Sequence, residues 1–369
     1  MFDPYKALYL HIPFCKQRCA YCDFATSAAS ADDPEITRYV EQLVLDIRRA
    51  SREEKLGSIE TVYIGGGTPS HIGMKNLSAL LYALSTSMHL TPEVECTMEA
   101  NPESLTEAMV KDLWALGVNR LSIGVQSFDN ALLEKLGRVH NAQTAKRAIA
   151  CAQTRFENVS IDLMCGLPGQ TPEDFERDLV SAVEAGVSHV SVYPLTVEEN
   201  TPLERLVEAG MLEEPLEDMQ AVMMEAALRV LGPAGFTRYE VASYAKPGYA
   251  CRHNIAYWTG KPYLGIGTSA VTMTQNDARR MRVQDGQVVD DLDRKQMCAE
   301  YLMLKMRMVE GVRDEEVREA SLVLPEALLA FRGLVDAGLA EHTEGAYRPT
   351  TVGWLCGNEL YGRLFDLAP

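Results

Sequence analysis

His11-Ile-Pro-Phe-Cys15-Lys-Gln-Arg-Cys19-Ala-Tyr-Cys22 follows directly on an aliphatic run, Ala7–His11. The run reads as a first strand, and the cysteines at Cys-x3-Cys-x2-Cys spacing fall in the loop behind it. Three thiolates can hold three irons of a cubane iron–sulfur cluster and leave the fourth iron open. A structural zinc site normally takes four ligands, and His11 could be the fourth only by reaching back along the strand. Burial of three unrelated cysteines in one loop is the remaining alternative. An open iron beside a strand-end loop is where a β/α fold would place a small-molecule ligand.

Outward from that loop the same rhythm repeats. Short apolar runs at Thr61–Ile64, Glu93–Glu99, Asn119–Gly124, Asn158–Met164 and His189–Tyr193 start roughly 25–55 residues apart. That spacing leaves room for a crossover helix between parallel neighbours. The intervening segments Ile36–Ser51, Asn76–Met88, Thr106–Leu116, Thr144–Gln153 and Pro172–Ala185 suit helices. Asn76, Thr106 and Thr171 are the expected N-caps, with Asp174 completing a capping box and Pro172 at the first helical position. Gly117 and Gly186 stop their helices in a left-handed conformation. Six β/α units in residues 1–195 predict an α/β fold, a partial (β/α)6 barrel.

After Tyr193 the rhythm breaks. Residues 197–218 are acidic and punctuated by Pro202 and Pro215, a linker with one short helix. A helix at Asp218–Leu231 stops at Gly232-Pro233, and a Tyr-, Gly- and Pro-rich tract runs from Phe236 to about Gln287. Residues 196–290 thus form a linker and barrel-flanking segment. Residues 291–369 form a smaller C-terminal α+β region, in which Leu339–Thr351, with Gly345 mid-way, suits a hairpin between helices as in a winged-helix module.

Length and composition agree with this division. At ~150 residues per domain, 369 residues give two or three domains. Hydrophobic residues are 47% and charged residues 24%, enough apolar surface for a sizeable core, which excludes disorder as the main state. Lys and Arg number 35 against 52 Asp and Glu, a net charge of −17 that argues against nucleic acid or anionic lipid as a partner. No run approaches ~18 apolar residues, so no transmembrane helix is expected, and Met1–Tyr9 lacks a secretory signal pattern. A cytoplasmic chain follows, with nine reduced cysteines of which six have no assigned task.

The cysteine loop, with an aromatic residue before its last cysteine, resembles the radical S-adenosylmethionine (SAM) proteins. Further words narrow the resemblance: Tyr9-Leu-His-Ile-Pro-Phe-Cys15, Gly65-Gly-Gly-Thr-Pro69, Met98-Glu-Ala-Asn-Pro102, Ser122-Ile-Gly-Val-Gln-Ser-Phe128 and Asp162-Leu-Met-Cys-Gly-Leu-Pro168. Together they are similar to the branch that holds oxygen-independent coproporphyrinogen III oxidase and the HemW-type haem chaperones. The resemblance implies a [4Fe-4S] cluster on Cys15, Cys19 and Cys22, with the open iron chelated by the amino and carboxylate groups of SAM. One-electron reduction then cleaves SAM to a 5′-deoxyadenosyl radical. Glu99, Gln126, Arg138 and Asp162 match positions that contact SAM in the family. An arginine suits the SAM carboxylate, and acidic side chains suit ribose hydroxyls. Gly66, Gly67 and Thr68 let backbone carbonyls and a hydroxyl approach the methionine amino group. Tyr21 is expected near the adenine and Tyr9 in the same pocket. Singly, each of these residues also fits a plain structural role.

Two features separate the branches. The oxidase pattern continues to a fourth cysteine two residues after the third, and Phe24 stands there. Cys251-Arg-His253-Asn254-Ile-Ala-Tyr257-Trp258 resembles the chaperone signature associated with haem binding. His253 could ligate haem iron, Tyr257 and Trp258 could stack on the porphyrin, and Arg252 could meet a propionate. Taken without the resemblance, the string reads as a strand-turn with a buried Tyr-Trp pair. Where the chaperone pattern runs on to Gly-Ala-His after Gly267, this chain has Thr268-Ser269-Ala270-Val271. The implied function is a haem chaperone that delivers haem to client haemoproteins such as respiratory enzymes, reached at a membrane only through those clients. The alternative is a radical SAM enzyme of porphyrin metabolism, either the oxidase or a haem-modifying enzyme. Productive SAM cleavage, the electron donor and a homodimer are left open.

Overall fold

The computed structural model describes residues 2–88 and 93–369. Six parallel strands, Ala7–Ile12, Thr61–Gly66, Glu95–Ala100, Arg120–Gln126, Asn158–Cys165 and His189–Pro194, lie side by side in chain order. The first two run in register from Ala7 beside Thr61 to Ile12 beside Gly66, so their C-terminal ends finish at one rim. Helices Pro34–Arg52, Gly73–Ser87, Glu107–Ala115, Ala142–Gln153 and Pro172–Glu184 return the chain. This is the expected partial barrel.

Strand side chains alternate with a consistent sense. Leu8, Leu10 and Ile12, Val62 and Ile64, Leu121 and Ile123, and Val159, Ile161 and Leu163 join one apolar core. That core includes Ile36, Leu43 and Ile47 of the first helix and Leu77, Leu80 and Leu84 of the second. A period of two leaves the alternate residues for the barrel interior: Tyr9 and His11, Thr61 and Tyr63, Glu95, Thr97 and Glu99, Arg120 and Ser122, Ser160 and Asp162, His189 and Ser191. The barrel is therefore apolar outside, where helices cover it, and polar inside.

Helix ends follow local chemistry. Thr106 caps Glu107–Ala115, and Thr171 with Asp174 forms a complete capping box. Gly117 and Gly186 take φ of 97° and 72°. Asn76 is a correction: its helix begins at Gly73, and the Asn76 amide donates to Ile72 O at 2.9 Å from within the first turn. The fourth of these helices starts at Ala142 rather than Thr144, capped by Asn141.

The sheet does not stop at residue 195. Tyr263–Ile266 is a seventh parallel strand, paired with Ala7–Leu10 at the opposite edge from His189–Pro194. Beyond it lie three antiparallel strands, Val271–Gln275, Arg279–Gln284 and Gln287–Asp293. The sixth strand is edged by Ser243–Ala245, antiparallel to it. The His253 string is a helix, Arg252–Trp258, not a strand-turn. From Arg294 onward four longer helices and a three-stranded sheet bury a second core around Leu302, Met306, Phe331, Leu334 and Leu360. The hairpin Ala340–Thr343 with Ala346–Pro349 turns at Gly345, φ 73°. Among the described residues no helix is long and apolar enough to cross a membrane.

The C-terminal part is tied to the sheet by charge. Glu300, on helix Arg294–Lys305, accepts from Arg280 and from Arg282, the latter at 2.6 Å, and the Glu300 side chain is only 7% exposed. Removing one member of a buried ion pair strands the other charges, at about 3–5 kcal/mol. Glu300→Gln is expected to lower unfolding stability by about that amount, read as a shift in the urea midpoint.

Candidate functional site

The cysteine loop is closed at its base by a short pairing of Phe14–Cys15 with Ser27–Ala28. Inside it, Ala20 N donates to Leu136 O and Leu203 N to Ala20 O, which pin the loop to later elements. Arg18 donates twice to Cys22 O, at 2.9 and 3.2 Å. His11 donates through Nε2 to Ala25 O at 3.0 Å and accepts at Nδ1 from the Tyr9 hydroxyl, also at 3.0 Å.

The glycine turn after the second strand meets this loop at close range. Gly67 N donates to Ile12 O and Thr68 N to Phe14 O, at 2.7 and 2.8 Å. A Cβ on Gly67 would lie 2.8 Å from Phe14 O and 2.9 Å from Cys15 Sγ. At Gly66, with φ 115°, it would lie 2.6 Å from the His11 ring. Only glycine lets the two segments touch. The Thr68 hydroxyl then donates to Cys15 Sγ at 3.5 Å and accepts from Asn101 Nδ2 at 3.0 Å. Asn101 Oδ1 accepts from Arg138 Nη2 at 2.8 Å, and Arg138 Nη1 reaches Cys19 Sγ at 3.5 Å. Burial opposes the Arg138 charge, but Tyr21, Cys19 and Glu103 outweigh it and keep the guanidinium charged.

Glu99 and Asp162 face the same space. Glu99 accepts from the Tyr63 hydroxyl at 2.8 Å and from Gly66 N at 3.0 Å. Burial, with Asp162 adding to it, pushes Glu99 up to about 7 against the pull of the Tyr63 hydrogen bond. Burial raises Asp162 too, opposed by Ser191, Arg120 and Ser122. Gln126 sits at φ 66° where the fourth strand's register shifts, a strained conformation beside the cavity.

Cys15, Cys19, Cys22, Tyr21, Gly66, Gly67, Thr68, Glu99, Gln126, Arg138 and Asp162 line one cavity of about 500 Å³. Among the described residues, no three His, Cys, Asp or Glu side chains converge on a single metal position. A cubane takes each thiolate on its own iron, so three thiols around one cavity can hold three irons. The thiols, a charged arginine and a turn without Cβ atoms fit a cluster of that kind with a polar ligand above it.

Two further residues, Asn101 in the Met98–Pro102 word and Tyr63 in the strand before the glycine turn, complete the site. Asn101 bridges Thr68 to Arg138, and Tyr63 holds Glu99. Strand alternation was the available signal for Tyr63, since it shares the inward face with Gly65. Phe24 lines the cavity mouth and is 64% exposed.

Tyr9, expected in this pocket, and the haem candidates His253, Tyr257 and Trp258 are not among its lining residues. Tyr9 is below the cavity, its hydroxyl taken by His11. His253 is 1% exposed at the opposite end of the barrel, bonded at Nδ1 to Thr61 Oγ1 (2.8 Å) and at Nε2 to the Tyr257 hydroxyl (3.0 Å). Burial pushes it down to about 3, so the ring is neutral, but neither nitrogen is free. The Trp258 indole N–H donates to Glu240 at 3.1 Å, with Arg307 5.2 Å above its ring. The imidazole is buried with both nitrogens bonded, while Tyr257 and Trp258 are half-buried with their polar atoms bonded to His253 and Glu240.

The Radical SAM superfamily matches residues 9–181. Heme chaperone HemW of Bacillus subtilis is 32% identical over 374 residues, covering 97% of this chain and 98% of that protein. The chain belongs to the HemW family, within the radical SAM superfamily. HemW of Escherichia coli K12 is 39% identical over 270 residues, 72% of this chain and 70% of that one. The solved coproporphyrinogen III oxidase HemN of Escherichia coli superposes with a TM-score of 0.82 at 20% identity, over 99% of this chain and 90% of that one, a likeness of fold.

A carboxyl whose pKa is higher folded than unfolded adds stability while protonated. For Glu99 that contribution is complete below its ordinary 4.5 and is lost as pH rises through about 7. Glu99→Gln, which stays neutral, is therefore expected to be more stable than the parent at pH 8 by up to about 3 kcal/mol. The difference should close toward pH 5, as followed by denaturant unfolding at each pH.

Proposed function

We propose that this HemW-family chain holds a [4Fe-4S] cluster on Cys15, Cys19 and Cys22, binds SAM beside it, and carries haem to client haemoproteins such as respiratory enzymes. The observation that carries the reading is the convergence of those three thiols with Glu99, Gln126, Arg138 and Asp162 on one cavity. A bound cluster would supply an open iron for SAM and, when reduced, one electron. The chain's own part is to position and enclose. Thr68 and the backbone of Gly66 and Gly67 would receive the amino group, and Arg138 would meet the carboxylate. Asp162 and Gln126 would take polar groups of the ribose, with Tyr21 against the adenine.

Haem binding rests on the family. Phe24, in place of the oxidase pattern's fourth cysteine, supports carriage over decarboxylation. On anaerobic reconstitution, Cys19→Ala and Gly67→Ala are both expected to lose the cluster's visible absorbance and most of its iron. The first removes a ligand; the second drives a methyl group into Cys15 and the Phe14 carbonyl. Full iron content in Cys19→Ala would sink the ligand assignment. Added haem is expected to give a shifted Soret band and to transfer to an apo-haemoprotein. Coproporphyrinogen III with SAM and dithionite should be recovered unchanged by mass spectrometry, and protoporphyrinogen among the products would favour the oxidase reading.

A further inference from the structure

The His253 helix is held at both ends. At its start the Glu95 carboxylate accepts from Arg252 N and His253 N, each at 3.0 Å. At its end Trp258 is fixed between Glu240 and Arg307. The imidazole in between has two hydrogen-bond partners, so its plane is set. Tyr63 lies on that plane, with centroids 5.0 Å apart and 29° between rings, and Tyr9 stacks at 6.2 Å on Tyr63. The Tyr63 ring extends from this column toward the rim, where its hydroxyl donates to Glu99. Thr61 and Tyr63 are two apart on one strand, and Glu95 and Glu99 four apart on the next, so each strand spans from the helix toward the cavity.

We propose that His253 is a positioning residue for SAM: stacked on Tyr63, it fixes the phenol that holds Glu99 in the cavity. This rests on the reading that Glu99 contacts SAM. It gives the His-Asn-x-x-Tyr-Trp helix a task that needs no free imidazole nitrogen. A hydrogen bond to a buried carboxyl is lost when its donor is removed or allowed to swing, and residues acting through one contact do not add their effects.

The test is SAM affinity, by equilibrium dialysis with labelled SAM, on reconstituted full-length protein. Tyr63→Phe and His253→Ala should each weaken SAM about five- to tenfold, and the double variant should be no weaker than about tenfold. His253→Gln, which can still bond Thr61 and Tyr257, should recover most of the affinity. Iron content and the haem Soret band should match the parent throughout. Additive losses in the double variant, or parental affinity in both singles while Glu99→Gln is impaired, would overturn the positioning role. Parental affinity in Glu99→Gln would instead remove the SAM reading beneath it. Loss of the Soret shift in His253→Ala with SAM affinity intact would make His253 the haem ligand and end the proposal. Should His253→Ala not fold, His253→Asn, too short to reach both Thr61 and Tyr257, takes its place in the single and double variants.

Discussion

The approach of the Gly66-Gly67-Thr68 backbone to the cysteine loop is the constraint on which the site depends. Two hydrogen bonds dock the turn against Ile12 and Phe14, and a Cβ at Gly67 would overlap both a carbonyl and a cysteine sulfur. With that contact made, Thr68 reaches Cys15 and Asn101, Asn101 reaches Arg138, and Arg138 reaches Cys19. Residues from four separated segments become one polar chain around the thiols. The loop itself has little regular structure, so this docking, with the pins at Ala20, supplies its shape.

The same strands that bury leucines and valines outward turn acids, tyrosines and histidines inward. Burying such groups is costly unless they are bonded to one another, and low dielectric strengthens what they do to each other. His189 is held by Ser160 and Tyr239, His253 by Thr61 and Tyr257, and Glu99 by Tyr63 and Gly66. Arg120, buried among these groups, lowers Asp162 and Glu99, while burial lifts both. The interior therefore holds two carboxyls whose charge a bound cationic ligand would alter. A solvated site would not offer that sensitivity.

Much of this was legible in order along the chain. The six strands lie within a few residues of their apolar runs because period-two burial is a local signal. Thr106 and Thr171 cap their helices because capping is local chemistry too. Asn76 was misleading: an Asn next to an apolar run suits a cap, but the preceding residues of the helix were short of apolar periodicity and hid its true start. Tyr263–Ile266 gave no sign of belonging beside the first strand, since its partner lies more than 250 residues away in sequence.

By itself the sequence marked candidate residues: the cysteine spacing, the triple glycine, and a polar word at five of the six strand ends are local patterns with local physical reasons. Only the tertiary structure decided who touches whom. Tyr63 serves Glu99 because two strands happen to be neighbours in register. His253 lies under that pair, with both nitrogens taken, because Glu95 and Glu240 receive the two ends of its helix. A histidine's type fixes what it can bond; whether a nitrogen remains free depends on groups that packing brings from elsewhere in the chain.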